Sequence, residues 1–454
     1  MILVIGSRTS SAQTLLEGGD LEHADANNAY CQAKLKGPQQ WLKLPKHLWP
    51  AEWSGMKCPV IPLERALYGL VRSNFDWNDH CDSKLLGAGW RRCWSGEKFI
   101  YDKTFCGSRV KLVVYVDDFV AGGKDDARAA AWVELRELFD MGEPEPIRKF
   151  LGIDIISKAD GAKRLLTFSQ EAFARSILEE YKQDLGMETT KKFRHVTTPG
   201  LDAFPDIESP FSSGRYASKA ARYVGKLMYL ARGSRPDIAQ AVGRLSRFVS
   251  KWWRVHDALL HRLMQYLEGT ADYALHYVLD ERDLDCFSLV TYLDADHAGD
   301  VFDTRSTSGA AQFIRGPNGS SALIDWMSRK QQATAWSTGE AELVAMGEGM
   351  RPALRNQLIC EGVAGRDIEH EARDDASATI GAVRKGYSPM DYVEKTQRVH
   401  LGALHDLFEQ KGMSLTKEPT ATNAADVMTK ALLREAHERH ALSLGVGVSP
   451  RRRV

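Results

Sequence analysis

The alternation of apolar and polar positions is clearest between residues 109 and 121, where it predicts a β-hairpin. KLVVYV forms one arm, Asp117-Asp118 the two-residue turn and FVAGG the other arm, and β-branched and aromatic residues flank the turn. Apolar residues then recur at helical spacing, which predicts a helix over residues 125–140. The positions that carry this spacing are Trp132, Leu135, Leu138 and Phe139.

Similar patterns continue along the chain. A polar stretch at 197–214, punctuated by Pro and Gly, is the best linker candidate. Residues 269–285 are predicted to be a further break between elements. The predicted elements are strands at 150–156, 287–293, 311–314 and 322–328, and helices at 169–181, 216–267 (broken near Gly233 and Pro236) and 339–360.

Length and composition narrow the class of protein. A chain of 454 residues is too long for one compact core, and its 43% hydrophobic and 26% charged residues are typical of globular proteins. No apolar run approaches the roughly 18 residues that a membrane helix needs. The seven cysteines form no C-x-x-C pair, which favours a reducing compartment over a zinc ribbon or disulfide framework. We therefore expect neither a membrane protein nor a secreted one.

Charge is balanced overall but not locally. The chain has 60 basic and 60 acidic residues, yet residues 215–262 hold eleven Lys and Arg against Asp237 and Asp257, together with Trp252 and Trp253. A basic stripe with aromatic residues favours nucleic acid, although a solvated helical face is the alternative. A plain nucleic-acid-binding module would leave the acidic residues described below unexplained. The candidate contacts are Lys226, Arg232, Arg235, Arg244, Arg247, Lys251 and Arg254.

Two sets of acidic residues are candidates for metal binding. Adjacent aspartates suit a hairpin turn poorly, but carboxylates that project from a turn can hold Mg²⁺ for phosphoryl transfer. An ordinary turn is the alternative for Asp117-Asp118 alone. The second set is dispersed, and each of its members could simply be a surface residue. It comprises Asp294, Asp296, Glu340, Glu342, Asp374, Asp375 and Asp426.

The segments around these acids resemble the Pol protein of copia-type (Pseudoviridae) retrotransposons. LEHADANNAY, LERALYGLVRSNFDW, FLGIDI and YVGKLMYLARGSRPDIAQAVGRLSRF follow the order of the family's reverse transcriptase. DADHAGD, TRSTSG, DWMSRKQ, STGEAEL and AADVMTKAL follow the order of its ribonuclease H domain. The resemblance implies an RNA-directed DNA polymerase and ribonuclease H, each using two Mg²⁺ (or Mn²⁺) ions.

The resemblance also implies roles for single residues. Asp25, Asp117 and Asp118 would be the metal-binding triad of the polymerase, Tyr30 its sugar gate, and Tyr115 and Arg72 further nucleotide contacts. The ribonuclease H ligands would be Asp294, Glu342, Asp374 and Asp426, with Asp296, Glu340 and Asp375 as runners-up; His400 is expected to be structural. The implied partners are an RNA template, a DNA primer, an RNA–DNA hybrid and dNTPs, in a virus-like particle in the cytoplasm or in the nucleus.

The expected fold class is α/β (α+β), with a reverse transcriptase palm, thumb and connection helices, and then a ribonuclease H-like mixed sheet. The expected domains are 1–200 (palm and thumb, fingers largely missing), 201–285 (helical, basic connection), 286–435 (ribonuclease H-like) and 436–454 (flexible basic tail).

Three departures from the family pattern support an alternative to an active enzyme. About two dozen residues precede Asp25, where the family has its fingers region. Arg72 stands where the family has a Gln that shapes the nucleotide pocket. Protease, zinc-knuckle and integrase signatures are absent from the sequence. The alternative is therefore an inactive, truncated remnant that at most binds primer–template nucleic acid.

Overall fold

The computed structural model describes residues 2–96, 98–203, 205–300, 303–387, 394–395 and 398–449. The contacts within the chain divide it into two compact units, Met1–Ile147 and Arg148–Val454. The four-part division predicted from the sequence stays a prediction. Within the described ranges, no helix combines the length and the apolar character needed to cross a membrane.

The first unit is built on an antiparallel sheet of six strands in the order β4-β5-β6-β7-β1-β8, and β2 and β3 form a separate pair. The strands are β1 Asp20–Asp25, β2 Trp41–Leu42, β3 Ile61–Pro62, β4 Arg91–Arg92, β5 Ile100–Phe105, β6 Ser108–Tyr115, β7 Asp118–Gly123 and β8 Glu145–Pro146. The helices are α1 Ile2–Leu16, α2 Ala29–Gln32, α3 Ser73–Gly87 and α4 Asp125–Leu138, with short 3₁₀ turns at Lys46–Leu48 and Ala51–Trp53.

The core of the first unit lies between this sheet and helices α3 and α4. Trp77 of α3 and Trp132 of α4 are buried with Leu112 and Phe119 of the central strands. The helix predicted over residues 125–140 is confirmed as α4, because its apolar positions recur on the face that packs against the sheet.

The hairpin predicted at residues 109–121 is confirmed, but its turn is shifted by one residue. Tyr115 pairs with Asp118, so the turn residues are Val116 and Asp117 rather than the two aspartates. Val116 adopts φ 55°, the positive φ that a two-residue hairpin turn requires at its first position. Asp118 is consequently a strand residue, and Asp117 lies in the turn.

The second unit contains a sheet in the order β17-β16-β13-β14-β15-β12-β11-β10-β9, with β18 beside β12. The strands are β9 Lys149–Phe150, β10 Ile153–Asp160, β11 Lys163–Ser169, β12 Tyr273–Asp280, β13 Ser288–Asp296, β14 Thr307–Arg315, β15 Ser321–Lys330, β16 His370–Asp374, β17 Met413–Lys417 and β18 Val446–Val448. The helices are α5 Glu171–Leu185, α6 Ala220–Gly233, α7 Ala239–Ser246, α8 Arg254–Gly269, α9 Thr338–Ala364, α10 Ser377–Lys385, α11 Leu401–Phe408, α12 Asp426–Thr429 and α13 Arg434–Ser443, with 3₁₀ turns at Pro236–Ile238, Glu281–Asp283 and Thr420–Thr422.

Several hydrophobic clusters stabilise the second unit, two of them large. Helices α5 to α8 pack around Tyr181, Tyr223 and Leu263. Helix α9 packs against β13 and β14, where Leu293 and Leu343 are completely buried. Strands β13, β16 and β17 are parallel, whereas β14 and β15 are antiparallel to their neighbours. The α/β class expected from the sequence is therefore confirmed, with a mixed sheet covered by helices.

Three segments differ from the sequence prediction. The strand predicted at 150–156 is interrupted by a turn at residues 151–152, so that β9 and β10 pair as a tight hairpin. The break predicted at 269–285 contains strand β12, which pairs with β11. Residues 434–448, most of which fall within the predicted flexible tail, form α13 and β18. Strands β12 and β18 were missed because their pairing partners lie far away in sequence: β12 pairs with β11, and β18 pairs with β12. Residues 450–454 of the predicted tail lie outside the described residues.

Candidate functional site

The first group of chemically active side chains lies at the end of strands β1 and β7. We call His23, Asp25, Asp117 and Asp118 the hairpin cluster. Asp25 and Asp118 are directly opposite each other in the antiparallel pair, and His23 shares the face of Asp25 because strand residues two apart point the same way. One ligand atom from each of His23, Asp25 and Asp118 lies within 4.8 Å of the others.

His23 is a member of this site that the sequence prediction missed. Its Nε2 lies 3.0 Å from Oδ1 of Asp25 and 3.6 Å from Oδ1 of Asp118. The nearby carboxylates of Asp118 and Asp25 raise the pKa of His23 against the effect of burial. The i, i+2 spacing from Asp25 in a strand was the signal that could have revealed it.

Asp117 occupies the turn beside this group. Its carbonyl oxygen accepts a hydrogen bond of 2.7 Å from the Ala26 backbone N–H, which ties the turn to the residue after Asp25. Burial raises the pKa of Tyr30, and the negative charge of Asp117 adds to the effect. The structure thus brings the predicted sugar gate close to the turn that carries Asp117.

The two other predicted nucleotide contacts have different surroundings. Tyr115 is 45% exposed at the end of β6. Arg72 places its guanidinium 3.2 Å from the carboxylate of Asp76 and 5.4 Å from the centre of the Phe75 ring. Arg72 is therefore already engaged by its own helix, and its nucleotide-binding role stays a prediction.

The second group lies at one edge of the mixed sheet. We call Asp294, Glu342, Asp374, Asp375 and Asp426 the sheet-edge cluster. Asp294 lies near the end of β13 and Asp374 ends β16, and these two strands are parallel neighbours. Helix α9 supplies Glu342, and α12 begins at Asp426. Segments more than 130 residues apart in sequence therefore contribute to one site.

The structure distinguishes between the two adjacent aspartates of this cluster. Ligand atoms of Asp294, Glu342 and Asp375 lie within 4.8 Å of one another. Asp374 is completely buried, and its Oδ1 accepts a hydrogen bond of 2.7 Å from the Ala376 N–H. The runner-up Asp375 thus joins this three-residue group, while Asp374 is buried and bonded to the Ala376 backbone. The ligand role of each stays a prediction.

Burial makes these carboxyl groups hard to ionise. It is the largest cause of a pKa raised to about 10 for Glu342, about 7 for Asp374 and about 6 for Asp426. The charge of Asp294 adds to each of these effects. Within the described residues, Glu342 Oε2 and Asp374 Oδ2 are buried without a hydrogen-bond partner. Such a site favours a bound cation.

Thr429, the last residue of α12, and Lys430, which follows it, also contact the cluster. Neither residue was predicted from the sequence. The Lys430 ammonium lies 3.1 Å from Oδ1 of both Asp294 and Asp426. The Thr429 hydroxyl donates a hydrogen bond to Asp294 Oδ2. The spacing of Lys430 four residues after Asp426 was the only local signal for this contact.

Among the other runners-up, Glu340 has a structural role. Its carboxylate accepts a hydrogen bond of 2.8 Å from the Trp336 N–H, while Ser337 accepts one from the Glu340 N–H. This reciprocal arrangement stabilises the start of α9 in the manner of a capping box. Asp296 lies two residues beyond Asp294, and burial raises its pKa to about 6.

The predicted basic stripe is largely neutralised by acidic residues from outside its own window. Glu180 pairs with Lys226, Asp325 with Arg232 at 2.5 Å, and Asp300 with Arg247 at 3.0 Å. Arg244 donates a hydrogen bond to the Leu201 carbonyl. Counting charges along the sequence could not reveal these partners, because they come from other elements.

Arg235 and Trp252 of this stripe are parts of the interior. Arg235 is 1% exposed and forms a bidentate ion pair with Asp237, at 2.9 and 2.7 Å. Trp252 is 4% exposed and its indole N–H donates to Asp257. Exposed cations remain at Lys251, which lies 5.1 Å above the Trp253 ring, and at Arg254.

Each of the two units of the chain contains its own carboxylate cluster. Residues 11–193 match the family model described as "Reverse transcriptase (RNA-dependent DNA polymerase)". The chain is also similar to Pol polyproteins of copia-type retrotransposons over most of its length. It is 26% identical over 429 residues to the retrovirus-related Pol polyprotein from transposon TNT 1-94 of Nicotiana tabacum, with 92% of this chain and 30% of that protein covered.

Other comparisons extend this result. The retrovirus-related Pol polyprotein from transposon RE1 of Arabidopsis thaliana is 28% identical over 442 residues, with 94% of this chain and 27% of that protein covered. The chain thus spans less than a third of the length of these relatives. A solved structure, the RNase H1 of the archaeon Halobacterium salinarum NRC-1, has 17% identity and covers 31% of this chain and 94% of its own. The TM-score of this comparison is 0.23.

Proposed function

We propose that the chain carries out two reactions of retroelement replication. The hairpin cluster would serve RNA-directed DNA polymerisation, and the sheet-edge cluster would hydrolyse the RNA strand of an RNA–DNA hybrid. One observation carries this proposal: a chain similar to copia-type Pol polyproteins assembles two separate carboxylate groups, each from segments distant in sequence. Two-metal phosphoryl transfer requires such groups.

The sheet-edge cluster fits divalent cations. All its donor atoms are carboxylate oxygens, which Mg²⁺ and Mn²⁺ prefer. The buried, unpartnered oxygens of Glu342 and Asp374 are the atoms that a cation would satisfy. Asp294, Glu342, Asp426 and one or both of Asp374 and Asp375 would hold two ions. The ions would activate water and stabilise the charge that develops at the phosphate.

The hairpin cluster fits the same kind of ion. Asp25, Asp117 and Asp118 would hold two Mg²⁺ or Mn²⁺ ions, and the main contribution of the protein would be to align the primer 3′-hydroxyl with the incoming dNTP. Tyr30 lies near Asp117, where its ring would exclude a ribose 2′-hydroxyl. The RNA template and the DNA primer are the other expected partners.

The exposed part of the basic stripe is the region of the second unit that we propose for binding the nucleic-acid backbone. Lys251 is exposed above the ring of Trp253, and Arg254, the next residue after that Trp, is also exposed. Cations with an adjacent aromatic face bind phosphate and stack on bases. Arg235 is excluded from this surface because its guanidinium is buried against Asp237.

Cleavage of a hybrid tests the ribonuclease H proposal. The purified chain is incubated with Mg²⁺ and a labelled RNA–DNA hybrid, beside Asp294→Asn and, as a matched control, Asp406→Asn, which changes an exposed aspartate of α11. We expect cleavage by the wild type and by the Asp406 variant only. Equal cleavage by all three proteins, or none by the wild type, would refute the proposal.

Primer extension on poly(rA) tests the polymerase proposal. We expect extension by the wild type, loss of extension in Asp117→Asn, and normal extension in Asp126→Asn, which changes an exposed residue in the first turn of α4. If the wild type extends no primer at any Mg²⁺ or Mn²⁺ concentration while it still cleaves the hybrid, the polymerase proposal is wrong. The alternative of an inactive polymerase remnant would then hold for the first unit.

A further inference from the structure

Lys430 contacts two acids of the sheet-edge cluster at once. Its ammonium lies 3.1 Å from Oδ1 of Asp294 and 3.1 Å from Oδ1 of Asp426. Its backbone N–H donates a hydrogen bond of 3.0 Å to the Asp426 carbonyl, and the preceding Thr429 donates to Oδ2 of Asp294. The chain around Lys430 is therefore fixed by the same two acids that the ammonium bridges.

The cluster depends on Lys430 for charge compensation. The Lys430 ammonium lies between the carboxylates of Asp294 and Asp426 and donates a hydrogen bond to each. His440 Nε2 lies 4.0 Å from Asp426 Oδ2, which is beyond hydrogen-bond distance. Within the described part of the chain, Lys430 is the cation that hydrogen-bonds to the cluster.

The cluster contains two places for positive charge, and they share Asp294. One lies between Asp294 and Asp426 and is filled by Lys430. The other is bounded by Asp294, Glu342 and Asp375, whose ligand atoms lie within 4.8 Å of one another. Glu342 Oε2 has no hydrogen-bond partner in the described residues. The second place is therefore the one that lacks a cation of the protein.

We propose that Lys430 is a built-in counter-ion which makes the two metal positions unequal. The first divalent ion binds between Asp294, Glu342 and Asp375, and the position between Asp294 and Asp426 stays closed to a second ion until Lys430 moves away. The inference rests on the proposed ribonuclease H function.

The surroundings of Lys430 allow this movement. Its side chain is 35% exposed, so the flexible stem can turn toward solvent while the backbone stays in place. An ammonium that leaves Asp294 and Asp426 is available to a phosphate oxygen of the bound nucleic acid. Entry of the second ion and binding of the phosphodiester substrate are then coupled through one side chain.

Mn²⁺ binding without nucleic acid tests the proposal. Calorimetric titrations are made on metal-free full-length protein in which Asp25→Asn and Asp118→Asn remove the hairpin cluster. In this background we compare Lys430, Lys430→Met, Lys430→Arg and Lys411→Met, an exposed lysine outside the cluster. We expect Lys430→Met to bind one ion more than the parent, or to bind Mn²⁺ at least about tenfold more tightly, because a close positive charge is removed. Lys430→Arg and Lys411→Met should resemble the parent.

A second readout concerns the metal-free protein. Without its counter-ion the acidic cluster repels itself, so Lys430→Met should melt at a lower temperature than Lys411→Met in EDTA and recover when Mn²⁺ is added. If Lys430→Met does not fold in EDTA, Lys430→Gln replaces it in both measurements. Unchanged Mn²⁺ stoichiometry and affinity in the neutral variant, or an equal gain in Lys430→Arg, would overturn the counter-ion proposal.

Hybrid cleavage by the wild type separates this inference from the proposed function. If the wild type does not cleave while the neutral variant still gains Mn²⁺, the ribonuclease H assignment fails and the counter-ion role stands. If the wild type cleaves and the Mn²⁺ titrations are unchanged, only the counter-ion role is wrong.

Discussion

Replacing Asp374 with Asn should stabilise the metal-free protein while damaging its metal site. Asp374 is completely buried, and burial raises its pKa from the ordinary value of 3.8 to about 7. At pH 8 the folded protein must therefore hold an unfavourable ionised carboxylate. The difference between the two pKa values corresponds to about 4 kcal/mol, which is the upper end of the expected gain in the free energy of unfolding.

The direction of this effect depends on pH. A carboxyl group whose pKa is raised by folding binds its proton more tightly in the folded state, so its contribution to stability is present below pH 3.8 and is lost as pH rises through about 7. The Asn side chain does not ionise, so it makes no such pH-dependent contribution to stability. The stability difference between Asp374→Asn and the wild type should therefore be small near pH 4 and full at pH 8.

The geometry at residue 374 allows the replacement. The amide oxygen of Asn can still accept the Ala376 N–H, as Asp374 Oδ1 does at 2.7 Å. The amide NH₂ takes the place of Oδ2, which has no hydrogen-bond partner in the described residues, near the negative charges of Asp294 and Asp375. A donor there is more favourable than a second carboxylate oxygen.

Urea unfolding in EDTA, followed by tryptophan fluorescence at pH 4 and pH 8, measures this effect. Addition of Mn²⁺ should stabilise the wild type more than Asp374→Asn, because metal binding adds to the stability of the form that binds it. A lower urea midpoint for Asp374→Asn at pH 8 in EDTA would refute the reasoning.

Three further predictions concern other parts of the second unit. Arg235→Met should cost about 3–5 kcal/mol in urea unfolding because it leaves Asp237 buried and unpaired; unchanged stability with weaker hybrid binding would instead support the role predicted from the sequence. Glu340→Ala should cost about 1 kcal/mol through the weakened start of α9 and keep hybrid cleavage, whereas Glu342→Gln should abolish cleavage; loss of cleavage in both would contradict the capping role. Mn²⁺ affinity in calorimetry should rise from pH 5 to pH 8, since the ion competes with protons for carboxyl groups whose pKa burial raises, to about 10 for Glu342 and about 6 for Asp426; an affinity independent of pH would exclude this linkage.

Local sequence patterns were sufficient to predict the helices and strands that bury one face. The periodic apolar residues of α4 and the strand–turn–strand pattern of β6 and β7 were visible because each depends on neighbours a few residues away. The acidic residues of both clusters were identified as candidates in the same way, from short motifs and their order. The strand within residues 269–285 was not, since β12 is stabilised by pairing with β11, more than 100 residues earlier.

The one-residue shift in the hairpin turn could not be predicted from the residues of the hairpin alone. The sequence offered Asp117-Asp118 as the natural turn, but pairing of Asp118 with both Tyr115 and Asp25 fixes the register, and Val116 takes the positive φ. A register is a property of a whole sheet, because a shift by one residue turns every side chain to the opposite face. His23 became part of the site only through that register.

The sequence by itself determined the resemblance to copia-type Pol proteins, the α/β class and the order of the acidic segments, because these depend on contiguous motifs and on the spacing of apolar residues. Only the tertiary structure decided which acid accompanies Asp294 and Glu342, that Arg235 is buried against Asp237, and that Lys430 bridges Asp294 and Asp426. The physical reason is that burial and charge pairing act between segments distant in sequence.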